Sequence, residues 1–207
     1  MPRQTFFNLP EEKKDRIIQG AMAVFSTKAL NEASVAEIVD QAGISRGSFY
    51  QYFEDKLDLY LHLIGLFKRN YHNLLMTCFK KNQGDFYASY KSYSRYYIDN
   101  ITKSKKFGFF EKLYLNMNYA LNRESINLMF TDSHKSALYE VVRLDNLKIS
   151  TKAELLEVLQ FLHELLNNSI MEGFWKNAPV EVTQDHFIKR LDWVFYGISR
   201  VDKGENC

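Results

Sequence analysis

The chain has 207 residues, 46% of them apolar and 25% charged, and its 27 Lys and Arg against 25 Asp and Glu leave a formal net charge of +2. That length can bury a real core in one or two domains. The near-neutral balance excludes a histone-like protein that holds nucleic acid by bulk charge, and equally a highly charged disordered chain. Cys78 and Cys207 form neither a CxxC nor a disulfide framework, which suits a reducing cytosol. The amino end is too short and polar for a secretory h-region, and no apolar run approaches the roughly 18 residues of a membrane helix. The expectation is a soluble cytoplasmic protein that touches no membrane.

The prolines are Pro2, Pro10 and Pro179, so 168 consecutive positions carry none, and glycines number nine. Proline removes a backbone donor and clashes inside a helix, so such a run permits long helices throughout. The apolar spacing agrees. Ile17, Ile18, Ala21, Val24 and Phe25 share one helical face. Ser34-Val35-Ala36-Glu37 is an S-x-x-E capping box, which opens a helix carrying Val35, Ile38 and Val39 inward. That helix stops at Ala42-Gly43, where glycine can take the left-handed conformation. Ser45 then caps a short helix from Arg46 to Tyr52. A long periodic helix follows from Asp55 to about Lys81, with Leu59, Leu63, Phe67, Tyr71, Leu75 and Cys78. Near the end, Leu155, Leu159, Leu162, Leu166, Ile170 and Phe174 mark a helix around Thr151–Trp175. Phe187, Leu191, Val194, Phe195 and Ile198 mark the last, around Thr183–Ser199. Alternation of period two is sustained nowhere, so the fold class is all-α with about nine or ten helices. Organisation changes near residue 54, which separates an N-terminal three-helix unit (1–54) from a larger helical body (55–207).

Two short helices joined by a glycine turn form a helix-turn-helix. At 100° per residue, Arg46, Tyr50, Gly47 and Gln51 fall within an arc of about 140° on the second helix. Phe49 and Phe53 lie elsewhere and would pack inward. The outward arc suits DNA: Arg can bind guanine bidentately, Gln can bind adenine, and glycine admits a thymine methyl. Ser48 and Tyr50 hydroxyls can donate to phosphate, Ser34 sits at a helix N-terminus, and Lys56 can reach a flanking phosphate. The plain alternative is a tight helical corner whose polar residues face water.

The stretch from about Asp15 to Leu61 closely resembles the DNA-binding domain of the TetR family of bacterial one-component regulators. The resemblance is carried by Val35-Ala36-Glu37-Ile38, by Ala42-Gly43-Ile44-Ser45-Arg46-Gly47-Ser48-Phe49-Tyr50-Gln51-Tyr52-Phe53, and by Lys56. It covers about a quarter of the chain. It implies a homodimer that binds a palindromic double-stranded operator, usually as a repressor, and releases it when a small molecule enters the body. By the same resemblance Arg46, Gly47, Ser48 and Gln51 would face bases, while Ser34, Ser45, Tyr50, Tyr52 and Lys56 would hold the phosphate backbone. One departure concerns the turn after the first helix, where family members commonly have glycine and this chain has Lys28-Ala29-Leu30-Asn31. Asn31 can supply the left-handed conformation instead.

The body must be read residue by residue. Eleven of the 34 positions from Phe86 to Tyr119 are aromatic. Phe86, Tyr90, Tyr93 and Tyr97 recur within an arc of about 60° on one helix. With Phe110 and Tyr114 they could line a pocket for a flat or amphipathic effector, their hydroxyls orienting the guest. The alternative, core packing, is expected for at least half of them. Five histidines remain: His62, His72, His134, His163 and His186. His163-Glu164-Leu165-Leu166-Asn167 begins like the zinc motif H-E-x-x-H but lacks the second histidine, so no metal site is expected. The run Arg46 to Asp55, with Phe7-Asn8-Leu9, resembles haem-responsive family members, which would make His72 an axial haem ligand; the plainer reading is a solvated or capping histidine. No cofactor is required. The last two long helices would pair across a two-fold axis as a four-helix interface, unless their stripes serve only the monomer core.

No GxSxG, P-loop or strand–GxGxxG–helix unit occurs, so nothing points to an enzyme. The rival to a regulator is a helical ligand-binding protein, for example a haem binder, without specific DNA binding. Residues 1–60 hold seven Lys and Arg against nine Asp and Glu, a net of −2. A head of that sign must bind DNA through a few positioned contacts, with a modest dependence on salt.

Overall fold

The computed structural model describes residues 2–130, 132–145 and 147–198, with backbone only at 132–134. Ser199, Cys207 and the His134 side chain lie outside the described residues. Among those described there are eleven helices and no strand. These are α1 (Gln4–Phe7), α2 (Glu11–Phe25), α3 (Val35–Ala42), α4 (Arg46–Tyr52), α5 (Lys56–Lys81), α6 (Phe86–Thr102), α7 (Phe107–Leu115), α8 (Tyr119–Met129), α9 (Asp132–Val141), α10 (Lys152–Trp175) and α11 (Val180–Tyr196). No helix among the described residues is long and apolar enough to cross a membrane.

The helix starts follow local chemistry. At α3 the Ser34 hydroxyl accepts from the Glu37 backbone N–H at 3.2 Å, and the Glu37 carboxylate accepts from the Ser34 backbone N–H at 3.0 Å. Thr151 and Glu154 form the same box at α10. Asp55, Asp85 and Asn118 cap α5, α6 and α8 with side-chain oxygens. Pro179, whose fixed φ suits the first turn, stands at the start of α11. That helix therefore begins three residues before Thr183.

Helices α2, α3 and α4 form the head. Ile17, Ala21, Phe25, Ile38 and Phe49 meet in its core with at most 1% of their surface exposed. Each such large apolar side chain contributes roughly 1.5–3 kcal/mol by burial. The short α1, absent from the sequence reading, completes the head. Phe6 packs its ring 4.9 Å from Phe53 and 5.2 Å from His62, and Arg3 N–H donates to the Tyr52 carbonyl at 2.8 Å. The Thr5 hydroxyl also donates to the Gln51 carbonyl.

The head joins the body through α5. Tyr60, one turn into α5, lies 4.8 Å from Phe25 of α2 and 5.6 Å from Phe109 of α7. The backbone of Gly108 presses on the C-cap of α2. A Cβ there would stand 2.7 Å from the Ser26 carbonyl oxygen, so only glycine lets α7 and α2 approach this closely. The body then packs α5 against α6, α8 and α9, and α10 against α7, α8 and α11.

Candidate functional site

The head presents α4 as a short, doubly supported element. Gly43 takes φ 62°, the left-handed cap that the Ala42-Gly43 sequence predicts. Ser45 caps α4 by accepting from the Ser48 backbone N–H at 3.0 Å. Phe49 and Phe53 are fully buried and fix the rotation of α4. Arg46, Gly47, Tyr50 and Gln51 consequently stand on the exposed side. The Arg46 guanidinium lies 5.9 Å from the Tyr50 ring centroid and makes no ion pair among the described residues.

The other expected DNA contacts are placed less simply. Ser34 is exposed, but its hydroxyl donates to the Glu37 carboxylate at 2.8 Å, so a phosphate would compete with that acceptor. Glu37 is ion-paired with Lys28, and that bond, followed by those from Ser34, holds its carboxyl down to about 2. Ser45 and Ser48 share a hydrogen bond of 2.9 Å between their hydroxyls. Tyr52 is buried against Phe6 rather than lying on the outward arc. Lys56 donates to the Ala33 carbonyl at 2.7 Å and to the Asn31 carbonyl at 3.2 Å, tying the α2–α3 loop to α5. Asn31 is not left-handed. Among the described residues only Gln83 and Asn177 take positive φ besides glycine. The loop is closed by Lys56 and by the Ala29 N–H donating to Glu32 at 3.0 Å.

In the body, all six aromatic candidates are buried. They divide into two groups. Phe86 and Tyr90 stack on each other at 6.3 Å and pack against Phe195 and Phe187 of α11, as ordinary core. Tyr93 lies in the same core, its hydroxyl 3.8 Å from the Met129 sulfur. Tyr97 and Tyr114 belong to a buried polar chain. Lys68 Nζ stands 2.9 Å from the Tyr97 hydroxyl and 2.9 Å from His163 Nε2. The Tyr97 and Tyr114 hydroxyls are 3.0 Å apart, Tyr114 donates to Asn167 Oδ1 at 3.1 Å, and Asn167 donates to Asn122 at 2.7 Å. Phe110 packs 5.0 Å from Phe67 at the side of this chain.

Lys68 matches no motif, and His163 and Asn167 stand out in the sequence only as the ends of an incomplete zinc motif, although helical spacing carries a signal for the lysine and the histidine. Lys68 falls at helical spacing between Ile64 and Tyr71–Leu75, and His163 between Leu159 and Leu166, each on an inward stripe. Burial pushes the Lys68 ammonium down to about 7, and burial followed by the nearby Lys68 charge pushes His163 well below the usual histidine range.

The surface clefts lie elsewhere. One, of about 860 Å³, runs between head and body beside Leu30, Lys56, Tyr60, Asn118 and Leu121. Another, of about 310 Å³, is floored by Phe67, Tyr71 and Phe110 and rimmed by Lys105 and Lys106. His72 is buried in α5 rather than solvated, and none of these clefts is lined by it. No group of three or more metal-binding side chains occurs among the described residues.

Most of the two stripes expected to pair subunits serves the monomer core, while Val194 and Ile198 of the second stripe are exposed. Leu155, Leu159, Leu162, Leu166 and Ile170 of α10, with Phe187 and Leu191 of α11, are at most 1% exposed. The outer faces of the two helices carry other apolar side chains: Phe161, Trp175, Val182, Trp193 and Tyr196 are all exposed, Trp175 by 82%.

Comparison with known proteins agrees with this architecture. Residues 17–63 match the family model of bacterial regulatory proteins, tetR family, and residues 85–198 match that of the tetracyclin repressor-like C-terminal domain. The uncharacterized HTH-type transcriptional regulator YvdT of Bacillus subtilis (strain 168) is 43% identical over 56 residues, 27% of this chain and 26% of that protein. The HTH-type transcriptional repressor BepR of Brucella suis biovar 1 is 39% identical over 54 residues, 26% of either chain. The chain thus spans about a quarter of the length of these curated relatives. A crystal structure of a TetR transcriptional regulator from Rhodococcus sp. RHA1 shares the fold, with a TM-score of 0.57 over 92% of this chain and 100% of that one at 14% identity. With a capped helix-turn-helix at one end and a family-matched body over more than half its length, the chain belongs to the TetR family of bacterial regulatory proteins.

Proposed function

We propose that this protein is a ligand-responsive transcriptional repressor of the cytoplasm that binds a palindromic operator as a homodimer and lets go when a small molecule enters its body. The observation that carries the reading is the outward arc of α4, where Arg46, Gly47 and Gln51 are exposed on a helix held at both ends by caps and buried rings. Such a helix fits the major groove, with Arg46 and Gln51 reading base edges and Ser48 and Tyr50 meeting phosphates. Ser34, Ser45 and Lys56 would support the backbone contacts from the helix starts. Tyr52 supports them indirectly, by fixing α4 against α1.

The exposed apolar residues on the outer faces of α10 and α11 support a two-fold interface there, since water-facing Trp175, Trp193 and Tyr196 gain by mutual burial. The named relative BepR is a repressor, which supports the sign of regulation. Repression by operator occupancy needs no catalytic step.

Selection of bound sequences from a random DNA pool tests the proposal. A palindromic consensus is expected from the native protein, and no enrichment, or the same consensus from Arg46→Ala, would overturn it. Light scattering that gives a monomer at every concentration would remove the dimer.

A further inference from the structure

The body buries a positive charge that no carboxylate among the described residues balances. Lys68 is 4% exposed, and no carboxylate among the described residues lies within 4 Å of its Nζ. Its two neighbours are the Tyr97 hydroxyl and His163 Nε2, and the chain beyond them, through Tyr114, Asn167 and Asn122, is uncharged. An ammonium has three N–H donors, and these contacts use two. In the same core His163 Nδ1 and the Tyr90 hydroxyl have no hydrogen-bond partner among the described residues. Burying an ionised amine without a counter-charge is costly, and a well-packed apolar side chain would do better for stability alone.

The smaller of the two clefts described above shares Tyr71 with the surroundings of this lysine, which is not itself in the cleft's lining. The cleft of about 310 Å³ has an aromatic floor, Lys105 and Lys106 at its mouth, and no acidic residue in its lining. Lys106 Nζ already sits 4.7 Å over the Phe67 ring. Of the floor residues, Tyr71 stacks 4.3 Å from Tyr97, whose hydroxyl holds Lys68. Tyr71 thus borders both the cleft and the Tyr97–Lys68 pair.

We propose that the effector is a small organic monocarboxylate with a flat apolar body, and that Lys68 is the counter-charge that receives its carboxylate. This deepens the ligand-responsive reading and rests on it. The rings of Tyr71, Tyr97 and Phe110 take the apolar body, and the carboxylate accepts hydrogen bonds from Lys68 and the Tyr114 or Tyr97 hydroxyl. Lys105 and Lys106 raise the rate of encounter with an anion. A cation is repelled by this arrangement, and a neutral guest leaves the buried charge unmatched. The consequence reaches the head by packing. A guest between α5, α6 and α7 displaces α7, whose Gly108 rests directly on Ser26 of α2.

The test measures binding of benzoate, phenylacetate and 1-naphthoate, and of their primary amides, to the full chain at pH 6.5 by calorimetry and thermal shift. Acids binding at least about tenfold more tightly than their amides is the expected result. Lys68→Met is expected to erase that preference while still binding the selected operator. Equal binding of acids and amides, no binding of any acid, or an unchanged preference in Lys68→Met would each overturn the proposal. If Lys68→Met does not fold, Lys68→Gln takes its place; if neither folds, the acid-to-amide ratio of the native protein decides. These binding measurements use no DNA, so failure of operator selection would sink the repressor reading and leave this result standing by itself.

Discussion

Replacing Lys68 by methionine should change how the protein's stability depends on alkaline pH. In the unfolded chain a lysine keeps its proton up to about 10.5, whereas burial brings the folded group to about 7. Between those values the unfolded chain binds more protons than the folded one, so unfolding becomes harder as pH rises. Below pH 7 the folded protein carries the buried ammonium at its full cost. Each unit is worth about 1.4 kcal/mol, so a rise from pH 7 to 9.5 should add roughly 3 kcal/mol at most. Other groups facing the same core act outside this window or in the opposite sense. His163 stays neutral when folded, so it lowers stability only on acidification, through the range where the unfolded histidine takes a proton. Tyr93, Tyr97 and Tyr114 are raised by burial, which removes stability only as pH passes about 10, and Cys78, also raised, opposes the gain near pH 9. All of these remain in Lys68→Met, so the difference between the two proteins isolates the lysine. Urea unfolding at fixed protein concentration and pH 7, 8, 9 and 9.5 measures it. The gap between variant and native protein should be largest at pH 7 and shrink by roughly 2–3 kcal/mol at 9.5. The absolute gain at pH 7 is smaller than the charge term alone, because His163 Nε2 loses its partner, a cost of about 1–3 kcal/mol. A gap independent of pH would refute the reasoning.

Other outcomes follow from the head and its joint with the body. Arg46→Ala should cost about 1–3 kcal/mol on the selected operator and much less on random DNA, read by gel shift against both; equal losses would remove its base-reading role. Ser34→Ala should lower stability by about 1 kcal/mol by breaking the α3 capping box, and an unchanged urea midpoint would contradict this. Gly108→Ala places a methyl 2.7 Å from the Ser26 carbonyl, so the melting temperature should fall by several degrees and operator affinity should change. A native-like melt would show that the joint is looser than its geometry. The operator affinity of the dimer should fall only modestly between 50 and 200 mM salt, since the head has few cations to release condensed counterions; a steep slope would implicate Arg3 or the lysines at 103, 105 and 106.

The head is largely legible in the sequence, because its signals are local. A capping box, a glycine that must be left-handed and an i, i+4 pair of phenylalanines each act within four residues. Where a tertiary partner decided the outcome, local pattern was not enough. Tyr52 turns inward because α1 lies across it, and the loop at Asn31 is shaped by Lys56, which is 25 residues away. The inner and outer faces of α10 show the same limit. Leucine periodicity identified the helix, but which apolar face meets the monomer core follows only from where α7, α8 and α11 stand.

Composition, proline placement and helical spacing by themselves determined an all-helical chain with a helix-turn-helix head of negative net charge that must rely on placed contacts. The tertiary structure alone decided the centre of the body. Lys68, Tyr97, Tyr114, His163 and Asn167 come from four helices spread over 100 positions, and no spacing rule joins them. What unites them is burial. A polar group removed from water must find a partner wherever the fold provides one, and an ammonium left with only neutral partners becomes visible as a site once the helices are packed.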